Sequence, residues 1–209
     1  MKLTLRKNLF NVLAFVGFVW LVYLISVPLS MTSWDLRQYG LAPRTLKGLT
    51  GILTMPFLHD GFEHLLGNTV PLAVLLFMLA TTRTHARRIL FCLIVLGGAL
   101  TWLIGLSSPV VGASGLVYAL TAYLITAGLH ERKPVPIATA VLIGILYGST
   151  LIWRLLPTAG AKVAWDAHLL SATAGALFAH LTLRRKASES PRDVSESLTA
   201  IPGREVPIP

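Results

Sequence analysis

Apolar residues in this chain come in long unbroken blocks, and charged residues fall in short clusters between them. Six blocks approach the roughly 20 residues needed to cross a hydrocarbon core. They run from about Asn8 to Leu29, Phe62 to Ala80, Ile89 to Leu106, Ala113 to Leu129, Val135 to Leu156 and Val163 to Leu183. Several are short, which predicts steep helices or helices that end in protein-covered loops. The first block follows Lys2, Arg6 and Lys7, as the core of a secretory leader would. Its apolar run is too long for a leader, and no small-x-small cleavage site follows, so it is expected to stay as a helix. No internal repeat is visible, which counts against an inverted-repeat transporter. The pattern predicts an all-α polytopic membrane protein.

The connections between blocks are unequal. The first, about Ser30 to Gly61, carries Trp34, Asp35, Arg37, Pro43 and Pro56, and a loop this long is expected to have structure of its own. From Ala187 onward the chain is rich in Ser, Glu and Pro without apolar periodicity. That composition predicts a disordered tail. The expected division is therefore a short N-terminus over 1–7, a six-span domain over 8–186 and a tail over 187–209.

Composition narrows the class further. Hydrophobic residues are 54% of the 209 and charged residues 13%, about half the usual share of charge in a soluble protein. The single cysteine, Cys92, excludes a disulfide framework and a cysteine-based zinc site within one chain. A net charge of +9 would suggest nucleic acid in a soluble protein, but the loops supply a simpler account. With the N-terminus in the cytoplasm, Lys2, Arg6, Lys7, Arg83, Arg87, Arg88, Arg132, Lys133 and Arg184 to Lys186 all lie inside. Only Arg37, Arg44, Lys47, Arg154 and Lys162 fall outside. The positive-inside rule thus predicts both termini in the cytoplasm and no nucleic-acid partner.

Polar groups within spans are costly and point to function. Three places stand out, all toward the outer side in this topology. Val110-Val111-Gly112-Ala113-Ser114-Gly115-Leu116 opens the fourth span. Ser114 there would sit in a first helical turn, where free N–H groups and the helix dipole favour a developing anion. Gly and Ser are also ordinary helix-packing residues in membranes. Trp165-Asp166-Ala167-His168 opens the sixth span, with Ser171 and Gly175 on the face of His168. That small face would let His168 reach Ser114 if the fourth and sixth spans pack together; a histidine bonded to a carbonyl is the plain alternative. Asp166 is two residues from His168, about 200° around a helix, so the pair reads as a dyad rather than a triad. Third, His64 and Asn68 are four apart at the start of the second span and share a face. Two donors on one face suit an oxyanion. A structural hydrogen bond, or a metal site of His59, His64 and His168, is the alternative.

Together the three places resemble the rhomboid family of intramembrane serine proteases. The resemblance rests on His64-x-x-x-Asn68 in the second span, Gly112-x-Ser114-Gly115 opening the fourth and Ala167-His168 in the sixth, in matching order and orientation. Phe57-Leu58-His59 and Tyr118 are similar to the family too, and the likeness covers about Leu41 to Leu183. It implies a six-helix bundle whose serine opens into a water-filled cavity below the outer surface. It implies Ser114 as nucleophile and His168 as general base. It implies an oxyanion hole of His64, Asn68 and the Ser114 N–H. Gly112, Gly115 and Tyr118 would support the site, Tyr118 by stacking on the histidine, and His59 would brace the second helix against loop 1. No metal or cofactor is implied. The partners would be transmembrane protein substrates and the lipid bilayer, and the location a bacterial plasma membrane; oligomeric state is left open.

The chain departs from the family pattern in three places. Ser171 and Ala122 stand where the family favours glycine, so slightly wider spacing of the fourth and sixth spans is expected. Trp34 and Arg37 are three apart where the family has an adjacent pair, so that role does not transfer. Two other functions compete: a catalytically weak rhomboid-like protein that binds membrane clients, and a small metal or solute carrier. Both nucleophile and base are present, against the first. Intramembrane carboxylates are limited to Asp60, Glu63 and Asp166 near the outer interface, against the second. His85 and His130 read as solvated loop residues, and His180 as an interfacial or packing residue.

Overall fold

The structure, a computed structural model, describes residues 2–106, 109–132, 134–135, 137–138, 141–142 and 164–188. Six α-helices are defined there: α1 Lys2–Leu29, α2 Gly48–Thr54, α3 Phe62–Thr82, α4 Ala86–Ile104, α5 Ser114–Glu131 and α6 Trp165–Ser188. The expected fifth span, with Trp153 and Arg154, lies almost wholly outside the described residues, as do Lys162 and the tail beyond Ser188. Helix ends overrun the apolar blocks. α1 takes in Arg6 and Lys7, α5 reaches Glu131, and α6 continues two residues into the segment expected as tail. Backbone hydrogen bonding continues through an interface where hydropathy has already changed, so the blocks mark spans and not helix termini.

The helices differ in what surrounds them. By length and composition α1 (over Thr4–Leu29), α3 and α4 suffice to cross a membrane. Among the described side chains of α1, only Val12, Val19 and Ser26 are buried, seven residues apart. That spacing makes one narrow seam against the bundle and leaves the remaining face for lipid. Two polar links fix the seam: the Asn8 amide donates to the Ala80 carbonyl (3.0 Å) and the Trp20 indole to Thr69 Oγ1 (3.1 Å). α5 is the opposite case. Every residue from Ser114 to Leu120 is buried, and Tyr123, Leu124, Ala127 and Gly128 continue the packing. Leu72, Leu75, Leu79 and Leu93 of α3 and α4 close the core around it.

α5 packs most extensively on α6, and small residues set how closely. A Cβ on Gly175 would lie 2.1 Å from the Ala119 carbonyl oxygen, so the two backbones touch there. Ser171, one of the departures, faces two glycines: a Cβ on Gly115 or Gly97 would lie 3.1 or 3.2 Å from its hydroxyl. The extra side chain on α6 is thus matched by absent side chains on α4 and α5.

Loop 1 is structured, as its length implied. It contains the 3-10 turn Leu36–Tyr39, α2 and a second 3-10 turn, Met55–Phe57. Asp35 caps the first turn and pairs with Arg37 (2.7 Å), while Trp34 stays exposed. Loop 1 is fastened to the chain on either side of the α4–α5 connection. Arg44 donates to the Gly105 carbonyl (2.7 Å), and Trp102 of α4 donates to the Thr45 carbonyl (2.9 Å). Leu41 and Val110 exchange backbone hydrogen bonds of 2.9 and 2.8 Å in an isolated antiparallel bridge. That bridge holds the segment leading into α5 just before Gly112.

Candidate active site

The site grows from the turn that starts α5. The Gly112 N–H donates to the Met55 carbonyl (3.0 Å), which ties the turn to loop 1. Gly112 has φ +117, a conformation that L side chains rarely adopt. A Cβ there would also lie 2.5–2.7 Å from the His64 ring. Both backbone conformation and space require glycine. The first intrahelical bond of α5 is Val117 N–H to the Ala113 carbonyl (3.0 Å). The N–H groups of Ser114, Gly115 and Leu116 therefore lie ahead of the helical ladder, at the positive end of the dipole.

Ser114 and His168 are brought together across α5 and α6. Ser114 Oγ lies 2.7 Å from His168 Nε2, and both residues are buried. The Tyr118 ring, one turn further along α5, stacks on the imidazole with centroids 4.5 Å apart and planes 24° off parallel. Stacking fixes the plane of the ring, and the neighbouring Ala167 packs with Leu41 and Met55 of loop 1 and Val110 of the α4–α5 connection. Asp166 accepts from the Leu106 N–H (2.5 Å), which anchors the end of α4 to the start of α6. Its opposite direction on the helix is the one the 200° spacing predicts.

His64 and Asn68 lie on the other side of the turn and are organised by His59. Asn68 Nδ2 is 3.2 Å from His59 Nε2, and the same nitrogen accepts from the Ala113 N–H at 3.4 Å. An Nε2 that accepts from both must carry a lone pair, which places the ring proton on Nδ1. Burial, and next the charge of His64, pull the His59 pKa from 6.5 to about 4, which keeps it neutral. His64 Nδ1 lies 2.6 Å from Asp60 Oδ1, and its opposite edge faces Gly112. Burial pushes the Asp60 pKa up, but the hydrogen bond and charge of His64 outweigh it, so the carboxyl sits below its ordinary value. A His64 ring that donates Nδ1–H to this carboxylate offers a second donor at Nε2 only as an imidazolium.

The structure thus gathers Ser114, His168, Tyr118, Gly112, Gly115, His64 and Asn68 around one turn. Two further residues organise it. His59 bonds the residue before the serine, more direct than bracing a helix, and Asp60 orients His64. The Asp60–His64 spacing of four is the sequence signal for the latter. Among the described residues, no three metal-ligating side chains converge. The rings of His59 and His168 are each turned to a different partner.

Comparison with known proteins gives the family. The profile of the Rhomboid domain matches residues 47–185, from loop 1 into the end of α6. Uncharacterized proteins of Mycobacterium tuberculosis and Mycobacterium bovis are each 35% identical over 175 residues, covering 78% of this chain and 72% of theirs. One from Mycobacterium leprae is 30% identical over 193 residues, covering 84% and 76%. The chain belongs to the rhomboid family. It is an all-α integral membrane protein with the helical bundle of that family.

Proposed function

We propose that this protein is an intramembrane serine endopeptidase that hydrolyses peptide bonds in or near transmembrane segments of other membrane proteins. The observation that carries this is the 2.7 Å contact between Ser114 Oγ and His168 Nε2 at the dipole-positive start of a buried helix. A serine hydroxyl becomes a useful nucleophile when a base removes its proton as it attacks, and neutral imidazole suits that task near neutral pH. In this reading Ser114 Oγ adds to the scissile carbonyl while His168 Nε2 takes the hydroxyl proton. The Ser114 N–H and the side chains of Asn68 and His64 donate to the oxyanion, each donor lowering the barrier by about 2.7–4 kcal/mol. The tetrahedral intermediate collapses as His168 returns the proton to the leaving amine. An acyl ester on Ser114 remains. A water then repeats the cycle, its proton passing to His168 and finally back to Ser114. Tyr118 stands in for a triad acid by holding the imidazole plane.

The positive-inside distribution supports a serine near the outer face with both termini cytoplasmic, and the mycobacterial relatives support a bacterial plasma membrane. A transmembrane substrate is helical, with its carbonyls hydrogen-bonded, so it must unwind locally before Ser114 can reach it. Substrates with Gly or Pro near the cut are therefore favoured over a poly-Leu helix. The test is cleavage of a fluorescent transmembrane substrate in proteoliposomes by wild type, Ser114→Ala and His168→Ala. Cleavage by wild type alone supports the dyad; equal cleavage by all three contradicts it.

A further inference from the structure

The opposite end of the bundle holds a feature that the dyad does not use. Between the first turns of α1, the end of α3 and the start of α4 lies a cavity of about 670 Å³. That is within the roughly 300–1,000 Å³ of small-molecule sites. Lys7, Arg83, Arg87 and Arg88 bring four cationic side chains to it, and among the described lining residues none is acidic. Val12, Phe15, Leu76, Leu79 and Leu90 supply an apolar wall of the same cavity. The Asn8–Ala80 hydrogen bond bridges α1 and α3 beside it.

Arg83 supplies a second, independent observation. Its side chain is only 8% exposed. Nη1 pairs with Glu131 of α5, and the guanidinium carbon lies 5.7 Å from the Tyr123 ring centroid. Nε and Nη2 are buried without a hydrogen-bond partner. Buried cationic donors without an acceptor are costly, and phosphate oxygens match the guanidinium fork. α4 begins here as well, with no side-chain cap on its first N–H groups.

We propose that this cavity binds an anionic phospholipid, its phosphodiester on Arg83, Arg87, Arg88 and Lys7 and its acyl chains along the apolar wall. Free phosphate would leave that wall facing water. A lipid covers it and continues onto the exposed apolar face of α1, where Leu9 and Leu13 lie. The proposal requires only that this end of the bundle meets a membrane–water interface, and it stands apart from the protease reading.

Native mass spectrometry of the full chain released from detergent tests it, with phosphatidylglycerol, phosphatidylcholine and inorganic phosphate as probes. Two charge-matched double variants are compared with wild type: Arg87→Gln/Arg88→Gln at the cavity and Arg132→Gln/Arg184→Gln elsewhere on the same end. Wild type and the Arg132/Arg184 variant are expected to retain one phosphatidylglycerol in preference to phosphatidylcholine. The Arg87/Arg88 variant is expected to lose at least about ten-fold in affinity. Thermal unfolding in detergent checks that all three are folded, and the exposed Lys7→Gln carries the same test if the double variant is not. Equal losses in both double variants, equal retention of both lipids, or binding of inorganic phosphate as tight as that of phosphatidylglycerol would each overturn the proposal.

Discussion

The two ends of α5 solve the problem of polar groups in a membrane protein in different ways. At the Ser114 end the polar groups in direct contact are chiefly neutral and buried, and they bond one another within a small cluster. Ser114 meets His168, Asn68 meets His59, and His59 meets the Ala113 N–H. Glycine lets the backbones come near enough for these contacts. At the Glu131 end an ion pair is central: Arg83 pairs with Glu131, His130 lies 2.9 Å from His180, and arginines gather around an open cavity. Neutral networks tolerate little displacement, because a lost partner leaves a desolvated group with nothing to bond. Charged groups near an interface can recruit water, ions or lipid headgroups. The first arrangement suits chemistry and the second suits anchoring.

Substitutions break this contrast in graded steps. Asn68→Ala removes a proposed oxyanion donor, with an expected loss of about 10²–10³-fold in kcat. Turnover of a transmembrane substrate in proteoliposomes measures it, and a change mainly in KM would instead assign Asn68 to substrate binding. Acid attacks the same network through His59. The unfolded-state imidazole takes its proton near pH 6.5, whereas the folded one resists until about 4. Stability is therefore fully present above pH 6.5 and falls as the pH drops toward 4, by about 3 kcal/mol in all. Thermal unfolding between pH 7 and pH 4 should show the decline, and a flat Tm down to pH 5 contradicts a buried neutral His59. Gly112→Ala forces a side chain into a φ of +117 and against His64. A displacement of about 1 Å in the turn is expected to lower activity about 10²-fold, while the bundle core, distant from this turn, keeps the helical circular dichroism.

The Glu131 end should respond less. Glu131→Gln leaves Arg83 buried beside a neutral amide, and the expected cost is roughly 2–3 kcal/mol of stability with the dyad chemistry intact. Chemical unfolding and single-turnover cleavage separate the two effects; an equal fall in chemistry would show that the ends are coupled through α5. The smallest effect is expected at Ser171. Its hydroxyl is buried without a hydrogen-bond partner among the described residues. Ser171→Ala should leave stability unchanged or raise it by up to about 1 kcal/mol. A marked loss would mean that the hydroxyl serves the packing of α4, α5 and α6.

Much of this was legible in the sequence because membrane burial is written locally. A helix facing lipid must be apolar all round, so α1, α3 and α4 are plain from composition. Spacing located candidates as well: His64 and Asn68 share a face because they are four apart, and Asp166 turns from His168 because they are two apart. The helix termini were less legible, since the charged residues that end an apolar block do not end hydrogen bonding.

Other features depended on elements far apart in the chain. Nothing near Ser114 specifies that α5 would be the enclosed helix, because enclosure is a property of its neighbours. The Leu41–Val110 bridge and the Met55 carbonyl fix the serine turn from loop 1, more than fifty residues upstream. His59 became an organiser of the site only when folding set its Nε2 between Asn68 and the Ala113 N–H. Arg83 was one of many inside-facing charges until α5 brought Glu131 and Tyr123 to it and left two of its donors unfilled. Sequence fixes which groups a membrane helix can bear, because desolvation acts on each residue where it stands. Only the tertiary structure decides which distant groups meet, because hydrogen bonds act over about 3 Å and Ser114 and His168, like Ala113 and His59, lie 54 residues apart.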